Sequence, residues 1–232
     1  MIFVAEIGLN HDGNFDIAYE LIRQAKLTGA NIAKFQFGWR DKPDEINSID
    51  FDQAKRLSSW CDHVGIELMA SIITEEALEL ARHINQKRYK IASRTVVDNS
   101  ELCEKIIEEG KEVFCSLGFW DGEAFPFGPP DDRLHYIYCR SKYPTFPDEL
   151  ADFPTEFNKH GYFGYSDHCL GISGCLLAIS RGAKFIEKHF TLNKTSQVIR
   201  DHILSATPEE FKTMTTVGSE LSNFHKAITT EE

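Results

Sequence analysis

Two histidines occupy equivalent positions in consecutive segments that have the composition of buried β-strands. His168 comes just past the end of one segment, and His189 stands at the end of the next, with a helical run between them. Parallel strands joined in this way bring their carboxyl ends together, and neutral imidazole is the commonest protein ligand for divalent transition metals. Asp167, Glu187 and Asp201 are close enough in sequence to orient or supplement the pair. A metal site is the favoured interpretation; the alternative is that each histidine caps a strand or bonds a backbone carbonyl.

Length and charge are consistent with one enzyme-sized domain over residues 1–232. The 232 residues, 42% of them hydrophobic, are enough to bury a large α/β core. The net charge of -11 argues against nucleic acid or an anionic membrane surface as a partner. It leaves room for an anionic small molecule, because a local basic pocket can lie inside an acidic protein.

The sequence predicts a cytoplasmic protein. Its first apolar residues lead directly into Glu6 without a basic stretch, and no apolar run approaches the length of a membrane span. The six cysteines are scattered and form no C-x-x-C pair, which is typical of reduced, mostly buried thiols.

Eight short β-branched or aromatic runs alternate with windows of helical periodicity. We predict strands at Ile2–Glu6, Asn31–Phe37, Ile66–Ala70, Tyr89–Ala92, Glu112–Ser116, Leu134–Cys139, Tyr162–Tyr165 and Lys184–Lys188. Repeated βα units favour a parallel sheet with right-handed crossovers, here a compact, closed (β/α)8 TIM barrel, with an open doubly wound sheet as the alternative. The fifth crossover, residues 117–133, contains Pro126, Pro129 and Pro130, so we expect a loop instead of a helix there.

Polar residues interrupt the apolar strands mainly where the strands end. In a barrel such residues usually line a site at the carboxyl-terminal mouth, so we expect one pocket to collect them all. Ammonium groups and hydroxyls suit a phosphate and a carboxylate, and no glycine-rich nucleotide loop is present. For any single residue a solvated strand end is an equally good explanation. The residues are Glu6, Lys34, Gln36, Ser71, Lys90, Ser93, Ser116, Ser141, Ser166, Glu187, Lys188 and His189.

Six short segments, taken in order, resemble the N-acetylneuraminate (sialic acid) synthase family. They are AEIGLNHDG at residues 5–13, KFQ at 34–36, KIAS at 90–93, CRSKYP at 139–144, GYSDH at 164–168 and EKHFT at 187–191. Several are short, but the ordered set is specific and covers most of the chain.

The resemblance implies a TIM barrel that condenses phosphoenolpyruvate with the open-chain aldehyde of an N-acylated amino sugar similar to N-acetylmannosamine. The products would be phosphate and a sialic acid-like 3-deoxy-2-ulosonic acid. It implies a divalent metal, usually Mn2+ with Mg2+ or Co2+ as alternatives, held by His168 and His189, with Glu6 as a further catalytic residue.

The resemblance also assigns substrate contacts. Sugar contacts would come from Gln36, Tyr143 and Asp201. The phosphoenolpyruvate contacts would come from Lys34, Ser71, Lys90, Ser93, Ser116, Ser141 and Ser166. The implied partners are these small molecules and, in the family, a second copy of the chain in a homodimer.

Three departures concern the acceptor sugar. Arg94 and Thr95 follow Ser93 where the family usually has an acidic residue, and Val198–His202 replaces a P-G-x-D-H segment. The family also carries a C-terminal antifreeze-like domain, whereas this sequence ends soon after a predicted helix. We therefore expect either a different acceptor or a separate chain that supplies this domain.

Two other functions remain open at this level. One is a metal-dependent aldolase that acts on another carbonyl compound, although no new nucleophile motif is visible. The other is a non-catalytic ligand-binding or regulatory barrel, which predicts loss of Glu6, Lys90, His168 or His189, and none of the four is lost.

Overall fold

Eight parallel strands pair in sequence order, and the eighth pairs with the first to close a barrel. This computed structural model describes residues 1–40, 42 and 44–229. The predicted TIM barrel is confirmed, and the strand bounds differ from prediction by at most two residues. The strands are β1 (Ile2–Gly8), β2 (Ile32–Phe37), β3 (Glu67–Ile72), β4 (Arg88–Ile91), β5 (Glu112–Ser116), β6 (Leu134–Cys139), β7 (Tyr162–Asp167) and β8 (Phe185–His189).

Helices pack around most of the barrel, and several begin at side chains that satisfy their first N–H groups. Asn14 accepts from the backbone N–H of Asp16 and Ile17, and Asp50 forms a capping box with Gln53. None of the helices in the described part of the chain is both long and apolar enough to cross a bilayer. The helices are α1 (Phe15–Leu27), α2 (Phe51–Val64), α3 (Glu75–His83), α4 (Ser93–Asp98), α5 (Ser100–Glu108), α6 (Ser173–Ser180) and α7 (Pro208–Thr229).

One side of the barrel is covered without α-helices. The β5–β6 connection is a loop, as predicted, and its Phe125 ring stacks on Tyr136 with ring centres 4.2 Å apart. The β6–β7 connection, all of whose residues are described, contains only the short 3-10 helices Pro147–Glu149 and Asn158–His160. This second missing helix was not predicted from the sequence.

The barrel interior has an apolar layer below its polar mouth. Side chains of alternate residues face the same side of a strand, so each strand contributes to both layers at fixed intervals. The apolar layer therefore separates the charged residues of the mouth from solvent at the opposite end of the barrel. The apolar layer consists of Val4, Ile32, Met69, Phe114, Ile137 and Phe185.

Two charged residues that were predicted near the mouth, Asp167 and Lys188, have side chains on the outer face of the barrel. Lys188 lies between Glu187 and His189 on β8, so its side chain faces outward towards the helices. Its Nζ lies 3.2 Å from an Asp167 carboxylate oxygen and donates to the Cys169 carbonyl. The expectation that Lys188 lines the pocket, and that Asp167 orients the histidine pair, is therefore wrong.

Candidate active site at the barrel mouth

The polar strand ends converge on one cavity at the carboxyl-terminal mouth. It has a volume of about 50 Å³. Among the residues predicted to form the site, the structure brings twelve to its wall: Glu6, Lys34, Gln36, Ser71, Lys90, Ser93, Ser116, Tyr143, Ser166, His168, Glu187 and His189. Ser141 stands directly behind Ser93, with their hydroxyl oxygens 2.7 Å apart. Asp201 lies in an adjoining cavity, described below.

Lys34 links two carboxylates deep in the mouth. Its Nζ lies 2.7 Å from a Glu6 oxygen and 3.7 Å from a Glu187 oxygen, and it donates to Ser71 Oγ at 3.0 Å. Burial lowers the pKa of Lys34, but the two carboxylates outweigh burial and raise it. Lys34 is therefore a permanent cation at neutral pH.

The two carboxylates beside Lys34 have opposite protonation behaviour. Burial raises the pKa of Glu6 to about 7, against the opposing charge of Lys34 and with the support of Glu187. Burial would also raise the pKa of Glu187, but Lys34 and Lys90 lower it to about 2. Because the groups are closely coupled, we assign the charge of the pair to Glu187. Glu6 is then the group able to exchange a proton near neutral pH.

Lys90 is a buried cation that has no carboxylate partner in the described part of the chain. Only 2% of the residue is exposed, and its Nζ donates to Ser116 Oγ at 2.6 Å and to the Ile91 carbonyl at 3.2 Å. No carboxylate of the described residues lies within 4.0 Å of that nitrogen. Burial accordingly lowers the pKa of Lys90, although Glu187 opposes the shift. Such a cation is stabilised by an anionic ligand that enters the cavity.

The two histidines lie side by side above the lysines, with ring centres 5.4 Å apart. His168 Nδ1 donates to the Arg140 carbonyl at 2.6 Å, so Nε2 is the nitrogen that is free to bind a ligand. Burial lowers the pKa of His168, but the negative thiolate form of Cys139, whose Sγ lies 3.7 Å from Nδ1, outweighs burial and raises it. Burial lowers the pKa of His189 to about 3, and its buried Nδ1 finds no hydrogen-bond partner among the residues that the structure describes.

These properties fit a divalent metal held by His168 and His189. One imidazole is fixed by a backbone carbonyl, as metal-binding histidines usually are, and the other is neutral with an unsatisfied buried nitrogen. Within residues 1–40, 42 and 44–229, no group of three His, Cys, Asp or Glu side chains is arranged to hold a metal. The pair therefore suits an open site that takes its remaining ligands from small molecules.

A second cavity, of about 170 Å³, adjoins the first. The two have Gln36, Ala92, Ser93 and Tyr143 in common, so a molecule could reach from one into the other. Asp201 lies here, which separates it from the lysine-rich cavity. The remaining wall consists of Trp39, Ile73, Arg94, Thr95, Phe119 and Arg200.

Buried hydrogen bonds hold the segment that carries Asp201. His202 contacts Asp12 Oδ1 through Nε2 at 2.9 Å and Thr191 Oγ1 through Nδ1 at 2.7 Å. Ser205 Oγ donates to the Asp201 carbonyl at 2.6 Å. These contacts tie the 3-10 helix Arg200–Leu204 to the loop after β1 and to the end of β8.

Several residues of the two cavity walls were not assigned from the sequence. Cys139 lines the first cavity, and its position at the end of β6, like Ser116 at the end of β5, was an available signal. Trp39, Phe119 and Arg200 line the second cavity from loops, where no strand periodicity indicates the direction of a side chain.

Comparison with known proteins finds similar chains, several of which are sugar-acid synthases. The sequence profile of the NeuB family matches residues 44–231. An uncharacterized protein of Methanocaldococcus jannaschii is 34% identical over 91% of this chain and 68% of its own length. The N-acetylneuraminate-9-phosphate synthase of Mus musculus is 30% identical over 89% of this chain and 66% of its own length. The chain thus spans about two thirds of the length of these relatives.

A solved structure agrees with the sequence relatives. The N-acetylneuraminic acid synthetase of Leptospira borgpetersenii, in complex with citrate, superimposes with a TM-score of 0.84 at 26% identity. The match covers 96% of this chain and 84% of that one.

Proposed function

The chain belongs to the NeuB family, and on this premise we propose that it condenses phosphoenolpyruvate with the open-chain aldehyde of an N-acylated amino sugar. The products are a sialic acid-like 3-deoxy-2-ulosonic acid and phosphate. The observation that carries the proposal is Lys90, a buried ammonium at the mouth of the barrel to which the described residues give no carboxylate partner. Phosphoenolpyruvate, with a phosphate and a carboxylate on three carbons, supplies the anionic charge that this cation needs.

The lysines and the hydroxyls have different roles in the recognition of phosphoenolpyruvate. Lys34 and Lys90 neutralise its negative charge, since both ammonium groups lie in the same cavity wall. The hydroxyls can donate directional hydrogen bonds, and two of them, Ser93 and Ser141, also contact each other at 2.7 Å. We propose that the phosphoenolpyruvate contacts are Lys34, Ser71, Lys90, Ser93, Ser116, Ser141 and Ser166.

The acceptor sugar lies across the two cavities in this proposal. Gln36 and Tyr143 belong to both walls, and Asp201 belongs to the second. His168 and His189 would hold a divalent cation, with Mn2+ as the first choice and Mg2+ or Co2+ as alternatives. That cation supplies Lewis-acid polarisation of the acceptor carbonyl when bound. Tyr143 packs against both imidazoles, with ring centres 4.2 Å from His168 and 6.2 Å from His189.

The reaction requires one water molecule and a group that can move its proton. C3 of phosphoenolpyruvate forms a bond to the aldehyde carbon, water adds at C2, and phosphate leaves as the bond from C2 to its oxygen breaks. Glu6, whose pKa burial raises to about 7, exchanges protons near neutral pH, so it can give a proton to the aldehyde oxygen as the carbon–carbon bond forms and then, as a carboxylate, accept the proton of that water. Lys34, 2.7 Å away, orients the carboxylate.

The test is phosphate release from phosphoenolpyruvate in the presence of Mn2+ across a panel of acceptors. The panel contains N-acetylmannosamine, its diacetamido analogues, and simple pentoses and hexoses. Acceptor-dependent release that is absent in His189→Ala supports the proposal. If no acceptor promotes release while phosphoenolpyruvate binding persists, the proposed condensation is wrong and a binding function replaces it.

Location and assembly complete the proposal. All six cysteines are buried and unpaired, which supports the predicted cytoplasmic location. The homodimer and the supply of a further domain by a separate chain, both implied by the family resemblance, remain predictions.

A further inference from the structure

Two arginines of the second cavity lie flat against aromatic rings. The guanidinium carbon of Arg94 is 4.2 Å from the centre of the Phe119 ring, and that of Arg200 is 4.5 Å from the centre of the Tyr143 ring. Stacking of this kind restrains the guanidinium plane while its N–H groups stay available at the edge. Both arginines are part of the wall that also contains Asp201.

Among the described residues, neither guanidinium has partners for its terminal N–H groups. Arg94 has one ion pair among the described residues, with Asp98 at 3.9 Å, a distance too long for a hydrogen bond. The single ion pair that the described residues give Arg200 is between its Nε and Asp201 Oδ1, at 3.3 Å. The terminal nitrogens of both side chains therefore have donors to spare, and Arg donors fit phosphate and carboxylate oxygens in pairs.

The charge of this wall is opposite to that of the whole protein. The chain has 36 acidic and 25 basic residues. The wall nevertheless contains two arginines and a single carboxylate, Asp201. A positive site in an acidic chain indicates a local requirement for a negative ligand, because the overall charge would favour the reverse.

We propose that Arg94 and Arg200 bind an anionic group on the acceptor, at the end of the sugar remote from its aldehyde, and that this group is a phosphate ester. The inference rests on the proposed condensation, which places the aldehyde beside His168 and His189. Because Gln36, Ser93 and Tyr143 border both cavities, a single sugar can present its aldehyde in one and its far end in the other. Two guanidinium groups match the charge of a phosphate monoester, whose second pKa is about 6, better than that of a carboxylate.

A structural explanation of the same residues makes a different prediction. The Arg94–Phe119 stack joins α4 to the loop after β5, and it could serve only to hold that loop. In that case a substitution affects all acceptors alike. In the proposed role a substitution changes the ratio of kcat/KM for charged acceptors to kcat/KM for neutral acceptors.

The experiment compares three acceptors that differ only at the remote end. They are N-acetylmannosamine, its 6-phosphate and its uronate, in which that carbon is a carboxylate. Phosphate release from phosphoenolpyruvate is measured for the unchanged protein, Arg94→Gln, Arg200→Gln, the double variant and Arg94→Lys. The matched control is Arg56→Gln, because Arg56 also stacks on an aromatic ring, Trp60 at 4.9 Å, but does not line either cavity.

We expect the 6-phosphate to have the highest kcat/KM. The ratio of its kcat/KM to that of the neutral sugar should fall by about 10-fold in each glutamine variant and about 100-fold in the double variant, as for the loss of charged hydrogen bonds. Arg94→Lys should retain part of the preference, and Arg56→Gln should retain all of it. Higher ionic strength should reduce the preference, since both arginines are exposed.

Three results would overturn the inference in distinguishable ways. Preference for the neutral sugar, or an unchanged ratio in the double variant, rejects the role of the arginines and leaves the condensation intact. Preference for the uronate rejects the phosphate ester and retains an anionic acceptor. Absence of release with every acceptor rejects the condensation on which the inference depends.

Discussion

The substitution Lys90→Met tests the phosphoenolpyruvate site through stability as well as binding. Lys90 is buried, has no carboxylate partner within 4.0 Å among the described residues, and has a pKa lowered mainly by burial. Methionine has a similar volume and no charge, so it removes a desolvation cost at the loss of two hydrogen bonds. Each hydrogen bond contributes about 1 kcal/mol, and burial of an ion costs several kcal/mol. We therefore expect the free energy of unfolding of the ligand-free variant to rise by about 1 to 2 kcal/mol.

A second buried lysine supplies the matched control. Lys188 is fully buried like Lys90, but its Nζ is paired with Asp167 at 3.2 Å and it lies outside the cavity. Lys188→Met leaves the Asp167 carboxylate buried without its partner, which should cost about 3 to 5 kcal/mol. The two lysine substitutions are therefore expected to change the free energy of unfolding in opposite directions.

Urea unfolding with and without phosphoenolpyruvate measures both effects. A ligand at 100 times its dissociation constant stabilises a protein by about 2.7 kcal/mol. We expect this gain in the unchanged protein and its disappearance in Lys90→Met. A Lys90→Met protein that is less stable than the unchanged one, or that keeps the full ligand effect, would refute the reasoning.

Three further outcomes are expected. Glu6→Gln should lower kcat by about 100-fold or more and remove a limb of the pH profile near 7, measured as phosphate release from pH 5 to 9, while phosphoenolpyruvate binding persists. His11 is buried with a pKa lowered to about 4, so the unfolded chain binds more protons between pH 4 and 6.5. The contribution of neutral His11 to the free energy of unfolding is therefore fully present above about pH 6.5 and falls by up to about 3 kcal/mol towards pH 4. In acid denaturation, His11→Phe should lose less stability over this range than the unchanged protein. His202→Phe should raise KM for the acceptor about 10-fold with little change in KM for phosphoenolpyruvate, because His202 holds the segment of Asp201 through Asp12; an equal rise in both constants would contradict this role.

The barrel and the general position of its polar residues could be predicted because strand ends are recognisable in sequence. Apolar runs of strand length and their polar final residues are local features, and the parallel βα repeat brings their carboxyl ends together. Lys188 shows the limit of this reasoning. Its neighbours Glu187 and His189 line the cavity, but alternation alone does not reveal which of two adjacent charged residues faces inward.

Loops account for most of the remaining differences. The β6–β7 connection contains Pro144, Pro147 and Pro154, the same kind of signal that correctly predicted the loop between β5 and β6. The positions of Arg94 and Arg200 could not be predicted, because each depends on stacking against an aromatic ring from a distant segment.

The apolar layer of Val4, Met69 and Phe185 acts as an electrical insulator beneath the mouth. Charges above it are weakly screened, so the arrival of a multiply charged anion alters the proton affinity of its neighbours. Negative charge beside Glu6 and Lys90 raises both pKa values, and Glu6 already has a pKa raised to about 7. Binding of phosphoenolpyruvate at neutral pH should therefore draw protons from the solvent. The observed binding heat will depend on the ionisation enthalpy of the buffer.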